Sequence, residues 1–343
     1  MYMKRMSVKL QAALRLAVTV TVAGSSAALA TACWGQASTD AARGYPSRPI
    51  RLIVPFPPGT ATDITARTIA QELAKTFGQQ IIADNRGGAG GRLGAELASR
   101  APPDGYTLVL SGTGGFTIAP VLYPKLPYNT LRDFDHISNL VTQPQVLLVS
   151  PTIPVKTVAE LVDYARSRPG KLDYASIGPG SLTHLVMEMV QSAAKIKLNH
   201  VPFNGSAAAQ VGLMGGEVQV TVDTLPAIQA TIRSGKVRAI AVTSLKRHPI
   251  APELPTMVES GYPAVEAVGF GGVSAPVHTP APILEKLNRE LTRILNAPAM
   301  SEKFISLGYS PAPGTRAEYT AFIRNEIEKW QKVVKDANIV VQN

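Results

Sequence analysis

The stretch from residue 50 to residue 77, IRLIVPFPPGTATDITARTIAQELAKTF, joins an apolar run, a loop of small and hydroxylated residues, and an amphipathic segment. Apolar residues recur in that last segment at helical spacing, namely Ala66, Ile69, Ala70, Leu73 and Phe77. This spacing predicts one buried face of a helix, which Gly78 would end. A strand, a loop and a helix in this order form the repeating unit of an α/β fold.

The same order of apolar run, small-residue loop and helical pattern recurs along the chain. Further short strands are predicted to begin near residues 80, 106, 146, 172, 200, 218 and 237. Two capping boxes, Thr157 with Glu160 and Thr315 with Glu318, predict the starts of helices. Strands separated by helices favour parallel sheets, and no repeat of fixed period points to a solenoid.

Composition excludes several classes of protein. The chain has 343 residues, of which 45% are hydrophobic and 17% charged, with 28 Gly, 27 Pro and one Cys. The length suits two domains, and the Gly and Pro content is too low for a collagenous or disordered chain. A single Cys excludes an intramolecular disulfide and a Cys-based zinc site. The formal net charge is +10, but the basic residues are scattered, so we expect no nucleic-acid partner.

The N-terminus has the pattern of an export signal. Basic residues precede the uncharged apolar run 16–30, and small residues follow it. That run is shorter than the ~20 residues needed to span a bilayer, so residues 1–32 are predicted to be a signal peptide that directs the chain to the periplasm. Cys33 follows a loose lipoprotein pattern in which Leu29 stands one place too early, which leaves lipid anchoring as an alternative. Residues 33–45 are small and polar and are predicted to be a linker.

Glycines and hydroxyl residues cluster at five of the predicted strand-to-helix junctions. They are Gly59-Thr60-Ala61-Thr62, Gly90-Gly91, Ser111-Gly112-Thr113, Gly180-Ser181 and Gly205-Ser206. Helix N-termini carry unpaired N–H groups and bind anions, and in open sheets ligands lie beyond the carboxyl ends of the strands. These loops predict a cleft for an anion or polar ligand, although Ser and Thr also serve there as simple helix caps.

Motifs for catalysis or metal binding are missing from the sequence. The glycine segment 87–94 has Leu93 where a dinucleotide fingerprint needs its last glycine, and no phosphate-cradle, nucleophile-elbow or HExxH motif occurs. The five histidines are spread out, so we expect neither a metal nor a cofactor. Ser181 and His184 are close enough in sequence to form a nucleophile and its base, which leaves a hydrolase or transferase as an alternative. Asp63, Asp84 and Asp223 follow predicted strands. The sequence leaves two roles open for them, as acids or ligands and as helix caps.

Ordered motifs over almost the whole chain resemble one protein family. The resemblance is carried, in order, by YPSRPIRLIVPFPPGTATD with ITAR, NRGGAGGRLGAE, APPDGYTLVL, LYPKLPYNTLRDF, VKTVAELVDYARSRPGKLDYASIGPGS, HVPFNGSAAA, LMGGEVQV and GKVRAIAVTSLKR. Residues 45–340 are similar to the tripartite tricarboxylate transporter receptors, the bacterial Bug family of periplasmic solute receptors. The resemblance implies a two-lobed α/β fold of the type II periplasmic-binding-protein kind, with a ligand cleft between the lobes. It implies a first lobe of residues 46–142 and 266–343 and a second lobe of residues 143–265.

The resemblance also implies which residues hold a ligand carboxylate, largely through backbone amides, hydroxyls and water. In the first lobe they are Phe56, Pro57, Pro58, Gly59, Thr60, Ala61, Thr62 and Asp63, with Gly90, Ser111 and Thr113 beside them. In the second lobe they are Asn204, Gly205, Ser206, Ala207 and Ala208, with Ser176, Gly180, Ser181 and Asp223. The chain departs from the family pattern at Thr60-Ala61, where further glycines are usual, at Asn204, where Lys is frequent, and at Gly269, where an aromatic run is frequent. Loss of the aromatic residue implies a wider cleft.

The function expected from the resemblance is capture of a small carboxylated solute by closure of two lobes. The partners expected are the solute and the subunits of a membrane transporter, with the receptor itself a monomer. A sensor that presents the closed form to a signalling protein is the alternative within the same fold. Neither reading involves catalysis.

Overall fold

The structure, a computed structural model, describes residues 43–58, 60–337 and 339, apart from the side chain of Ala61. The predicted signal peptide, Cys33 and most of the predicted linker lie outside these residues. The strands of the described part are β1 Ile50–Val54, β2 Ile81–Asn85, β3 Thr107–Gly112, β4 Phe134–Val149, β5 Asp173–Ser176, β6 Asn199–Pro202, β7 Val220–Thr224, β8 Arg238–Val242, β9 Val268–Pro276 and β10 Ser310–Pro311.

The helices of the described part alternate with these strands, as the sequence predicts. They are α1 Ala61–Phe77, α2 Arg92–Ser99, α3 Ala119–Leu122, α4 Val158–Arg166, α5 Leu182–Ala194, α6 Ser206–Gly215, α7 Leu225–Arg233, α8 Ala281–Asn296, α9 Pro298–Ser306 and α10 Arg316–Asp336. A π-helical turn, Gly114–Ile118, leads into α3.

One long strand joins two sheets. The strand order is β2-β1-β3-β9-β4-β7-β5-β6, and β8 and β10 also pair with β4. Residues 134–144 of β4 pair with β9, and residues 145–149 pair with β7 and β8. The strand therefore changes partners between Pro144 and Gln145, and it carries the chain from the first sheet into the second.

The prediction of parallel sheets is right at the outer strands and wrong at the centre. Strand β1 is parallel to β2 and β3, and β5 is parallel to β6 and β7. Strands β4 and β9 are antiparallel to their neighbours, as in β3 with β9 and β4 with β7. The fold is α/β with mixed sheets, because two strands that connect the halves run against the rest.

The predicted caps bound three helices, and one of the two predicted capping boxes is complete. Helix α1 begins where the Thr60 hydroxyl accepts from the Asp63 amide, and it ends at Gly78, whose left-handed φ of 65° suits glycine. Thr315 and Glu318 form the predicted capping box of α10. The box predicted for α4 is half formed, because the Glu160 carboxylate accepts from the Lys156 amide instead of the Thr157 amide.

The C-terminal helix contacts the cores of both halves. Near its start, Tyr319 and Ile323 are buried in a cluster with Phe116 and Phe270 beside the first sheet. Farther along, Trp330 is fully buried among side chains of the second sheet, such as Tyr174. One continuous helix of about 30 Å, at 1.5 Å per residue, thus packs on both halves.

The first described residues are also part of the core. Tyr45, the last residue of the predicted linker, is 4% exposed, and its hydroxyl donates to the Gly105 carbonyl at 2.7 Å. The Lys286 ammonium donates to the Tyr45 carbonyl oxygen at 2.5 Å. Among the described residues, the first buried one is therefore Tyr45. Within the described part of the chain, no helix has the length and apolar character to cross a membrane.

Gly272 in β9 is predicted to be intolerant of a side chain, whereas its neighbour Gly271 is tolerant. A Cβ at Gly272 would overlap the Tyr319 phenol and lie 2.7 Å from the Ser138 carbonyl oxygen, but a Cβ at Gly271 would meet only Val141 at 3.7 Å. We expect Gly272→Ala to lower the free energy of unfolding by about 1–3 kcal/mol, the usual cost of overpacking a core. Denaturant titration measures this, with Gly271→Ala as the matched control. Equal stability of the two variants would contradict the packing described.

Candidate ligand-binding cleft

A cleft of about 1180 Å³ is lined by loops from both sheets. Eleven of the residues predicted for the site line it: Phe56, Thr60, Thr62, Gly90, Ser111, Thr113, Gly180, Ser181, Ser206, Ala207 and Asp223. They lie at or beyond the carboxyl ends of β1, β2, β3, β5, β6 and β7, so the predicted loops do meet at one place.

Seven other predicted residues are outside the cleft lining. They are Pro57, Pro58, Asp63, Ser176, Asn204, Gly205 and Ala208. Asp63 is 3% exposed, and its buried carboxylate accepts from Asn85 at 2.8 Å and pairs with Arg67 at 2.9 Å. Ser176 contacts the His200 ring nitrogen at 2.6 Å, and Pro58 and Asn204 face solvent. Gly59 lies outside the described residues, as does the side chain of Ala61.

The loop after β1 is stabilised by the side-chain amide of Asn85. Asn85, at the end of the neighbouring strand, donates to the Phe56 carbonyl at 3.0 Å and to the Asp63 carboxylate at 2.8 Å. The Thr60 hydroxyl donates to the Pro57 carbonyl at 2.8 Å and also caps α1. Asp63 therefore stabilises this loop and does not line the cleft.

The start of α6 offers backbone amides to the cleft. Gly205 is its N-cap at φ 96°, a left-handed value that suits glycine, and no side chain caps the helix. The Ser206 hydroxyl donates to the Asp223 carboxylate, which also accepts from the Gln210 amide at 3.3 Å. The first-turn N–H groups of α6 are thus the donors that remain for an anion, since the hydroxyl of Ser206 is already engaged.

Asp223 is a buried carboxylate at the edge of the cleft. Burial raises its pKa, and its hydrogen bonds from Ser206, from the Thr224 amide and from Gln210 act in the opposite direction. Its two oxygens are already occupied by these donors. Asp223 therefore links the first turn of α6 to the end of β7, and its hydrogen bonds describe a structural residue better than an acid catalyst.

The geometry of Ser181 and His184 does not fit a nucleophile and its base. The Ser181 hydroxyl donates to the Gly178 carbonyl at 2.6 Å and accepts from the backbone amide of His184 at 3.3 Å, as a helix cap does. The His184 Nδ1 accepts from the Gly180 amide at 3.0 Å. The imidazole thus holds the loop before α5 and is not bonded to the Ser181 hydroxyl.

Ser111 and Thr113 line the cleft but have partners within the protein. The Ser111 hydroxyl bonds Tyr319 at 2.7 Å and Ser274 at 3.1 Å, and Ser274 contacts His136 at 3.0 Å. Burial lowers the pKa of His136 to about 4, so it is neutral in this chain of hydrogen bonds. The Thr113 hydroxyl accepts from the Phe270 amide at 3.0 Å, which fixes β9 beside the cleft.

Sequence reasoning identified only one part of the floor of the cleft, the run that begins at Gly269, and missed the rest. Gln143 and Gln145 in β4 line it, as do Gly269, Phe270 and Gly271 in β9. The two glutamines alternate within an apolar strand, which is a signal of polar groups on one face, but only the sheet pairing shows which face that is. Among the residues that line the described cleft, the charged ones are Arg92 and Asp223.

Arg92 is already engaged by neighbouring groups. Its guanidinium lies 3.6 Å from the Tyr123 ring centroid, and its Nε donates to the Ala89 carbonyl at 3.0 Å. The described residues contain no group of three or more His, Cys, Asp or Glu side chains placed to hold a metal ion.

Two sheets that share one long strand, with loops of both facing a single cleft, define a two-lobed solute-binding protein of the type II kind. The family model of the tripartite tricarboxylate transporter family receptor matches residues 65–339. The chain belongs to this receptor family. Its members are binding proteins, so the protein is a solute receptor and not the hydrolase considered from Ser181 and His184.

Individual relatives are similar over most of their length. Protein BugT of Bordetella pertussis is 37% identical over 303 residues, 88% of this chain and 93% of BugT. The structure of Rpa4515 of R. palustris with adipate has a TM-score of 0.79 at 34% identity, covering 86% of this chain and 99% of that one. MatC of Rhodopseudomonas palustris with bound malate has a TM-score of 0.74 at 33% identity, covering 84% and 100%.

Two stacked histidines behind the cleft are expected to make folding pH-dependent. The rings of His184 and His200 lie 4.2 Å apart, centroid to centroid, and nearly parallel. Burial lowers both pKa values, and His184 further lowers that of His200, to about 4. Because each folded-state pKa lies below the unfolded value of about 6.5, the folded protein binds fewer protons, and this contribution to stability is lost as the pH falls from about 6.5 toward 4.

Melting temperatures measured between about pH 7.5 and about pH 4.5 test this pH dependence. The variant His200→Phe keeps a ring in the stack but has no proton to gain, so its melting temperature should fall less steeply with acid than that of the parent protein. The control Ser176→Ala removes the same hydrogen bond while keeping the imidazole, and it should retain the parent's slope. A slope unchanged by His200→Phe would show that this pair does not carry the dependence.

Proposed function

We propose that this receptor captures a small carboxylated solute in the periplasm by closing two lobes on it, and passes it to a transporter of the tripartite tricarboxylate type. The observation that carries the proposal is the meeting of helix starts from both sheets at one cleft. Helices α1, α5, α6 and α7 all begin there, and helix starts attract anions through N–H groups and dipoles.

A carboxylate suits the electrostatics of the cleft. Helix α6 has no side-chain cap, so its first amides need an external acceptor, and a carboxylate oxygen is a strong one. Two relatives in the family have structures with carboxylates, adipate in one and malate in the other. A carboxylate is therefore the simplest occupant of this cleft.

Closure of two lobes would bury apolar side chains at the mouth of the cleft. Ile64 in α1 and Ile177 after β5 line it from different sheets and are 46% and 41% exposed. We assign residues 46–142 and 266–343 to one lobe and residues 143–265 to the other, which places the boundaries beside the partner change in β4 and before β9. Ligand contacts made only in the closed form would shift the equilibrium between the two forms.

The location, partner and assembly follow from the same proposal. The signal-like residues 1–32 would direct the chain to the periplasm, which is the usual location of this family's binding proteins. The family description supports a membrane transporter as the receiver of the solute. The receptor would act as a monomer, since one chain supplies both sides of the cleft.

Carboxylate binding should raise the melting temperature of the purified protein. With adipate, malate and a panel of other mono- and dicarboxylates, a true ligand at one hundred times its Kd adds about 2.7 kcal/mol to the free energy of unfolding. The radius of gyration in small-angle scattering should shrink with the same ligand, because the lobes close. Absence of any thermal shift across the panel would refute carboxylate capture, and recovery of a chemically altered ligand would refute a pure receptor.

A negative charge at the start of α6 should compete with the ligand. Ala207 and Ala208 are neighbours in the first turn, but Ala207 lines the cleft and Ala208 does not. We expect Ala207→Asp to weaken binding of the best acid in the panel by about tenfold or more in calorimetry, which is about 1.4 kcal/mol. The control Ala208→Asp adds the same charge to the same helix turn and should bind nearly as the parent does. Equal losses in both variants would place the carboxylate elsewhere.

A further inference from the structure

The floor of the cleft contains an open position at Gly269 that the backbone does not require to be glycine. Gly269 pairs with Gln143 between β9 and β4 and is absent from the positive-φ glycines of the described chain. An added Cβ would meet its nearest neighbour, the Leu182 side chain, at 3.4 Å, which is ordinary contact. In contrast to Gly272, this position has room for a Cβ, and glycine leaves that space to the cleft.

The polar group beside this opening has one unused acceptor. Gln145 is fully buried and lines the cleft, and its Nε2 donates to the Gln143 carbonyl at 3.3 Å. No described residue donates to its Oε1. Exchanging the two ends of the amide would set oxygen against the Gln143 carbonyl oxygen, so the orientation is fixed. A buried amide oxygen without a donor is costly, and a ligand donor removes that cost.

The surroundings of the opening are uncharged. Leu182, Gln143 and Gln145 are the side chains nearest to a Cβ at Gly269. The nearest carboxylate in β7 belongs to Asp223, which precedes Thr224, the residue that pairs with Gln145. Arg92 is occupied by the Tyr123 ring. A second carboxylate at this floor would therefore lose water without gaining a cationic partner.

We infer that the opening at Gly269 receives the end of the ligand remote from its carboxylate, and that this end is an uncharged hydrogen-bond donor on an apolar body. Its donor, such as a hydroxyl or an N–H group, bonds the Gln145 Oε1, and its apolar body lies against Leu182. The substrate class is then a monocarboxylic acid with a neutral polar tail, in distinction from a dicarboxylate. This inference rests on the proposed function, because it takes the carboxylate end to lie at the helix starts.

Two matched series of acids test the inference by calorimetry with the purified protein. Hexanoate, 6-hydroxyhexanoate and adipate share one skeleton, and benzoate, 4-hydroxybenzoate and terephthalate share another. In at least one series we expect the hydroxy acid to bind about tenfold or more tightly than both the unsubstituted acid and the diacid. The variant Gln145→Leu should abolish the advantage of the hydroxy acid over the unsubstituted acid while keeping the affinity for the latter within about threefold.

A second variant tests the space at Gly269 instead of the hydrogen bond to the Gln145 Oε1. Gly269→Leu should weaken binding of the preferred hydroxy acid about tenfold or more. Gly215→Leu is the matched control, because Gly215 is exposed, has open space at its Cβ and lies outside the cleft. Tightest binding by a diacid, or a Gln145→Leu variant that keeps the full hydroxy-acid advantage, would overturn this inference and leave the receptor function standing. Absence of binding by all six acids would also overturn this inference, whereas the receptor function is overturned only if the wider carboxylate panel gives no thermal shift.

Discussion

The hydrogen bonding of one strand, β4, determines where every other part of the molecule lies. Its residues 134–144 pair with β9 and its residues 145–149 pair with β7 and β8, so a single extended segment belongs to two sheets. Because both sheets share that strand, the carboxyl ends of their outer parallel strands open toward one space. The cleft exists for this topological reason, and its floor is β4 itself beside β9.

In the proposed function, the cleft holds its ligand through oriented dipoles more than through net charge. The hydroxyls of Ser206, Ser111 and Thr113, which the sequence suggests as ligand contacts, are engaged by Asp223, Tyr319 and the Phe270 amide. These internal bonds hold loops and strands in place, and what they leave for a solute are backbone amides at the helix starts. A site of this kind is preorganised, since its donors belong to rigid elements and lose little entropy when a ligand arrives.

The sequence predicts local structure well and long-range pairing poorly. The face of α1 from Ala66 to Phe77, its end at Gly78 and the capping box at Thr315 depend on neighbours within one helical turn, and the structure has them as predicted. The antiparallel course of β4 and β9 depends on residues more than 100 positions apart, and no local pattern encodes it. For the same reason the loops of the site were predictable, whereas Gln145 on its floor was not, and Gly269 was placed at the cleft only by the family resemblance.

The position of β9 has a consequence for how the protein is made. This strand lies between β3 and β4 in the first sheet, yet it comes about 160 residues after β3 in the chain. The first sheet is therefore incomplete until residue 276 has been synthesised, and the pocket for Tyr319 closes later still. Chains dominated by such distant pairings fold slowly, because the loop-closure entropy is lost before the contacts form. A ribosome must therefore synthesise the chain as far as β9 before the core of the first sheet can form, whereas a core cluster of the second sheet uses only residues 146–254.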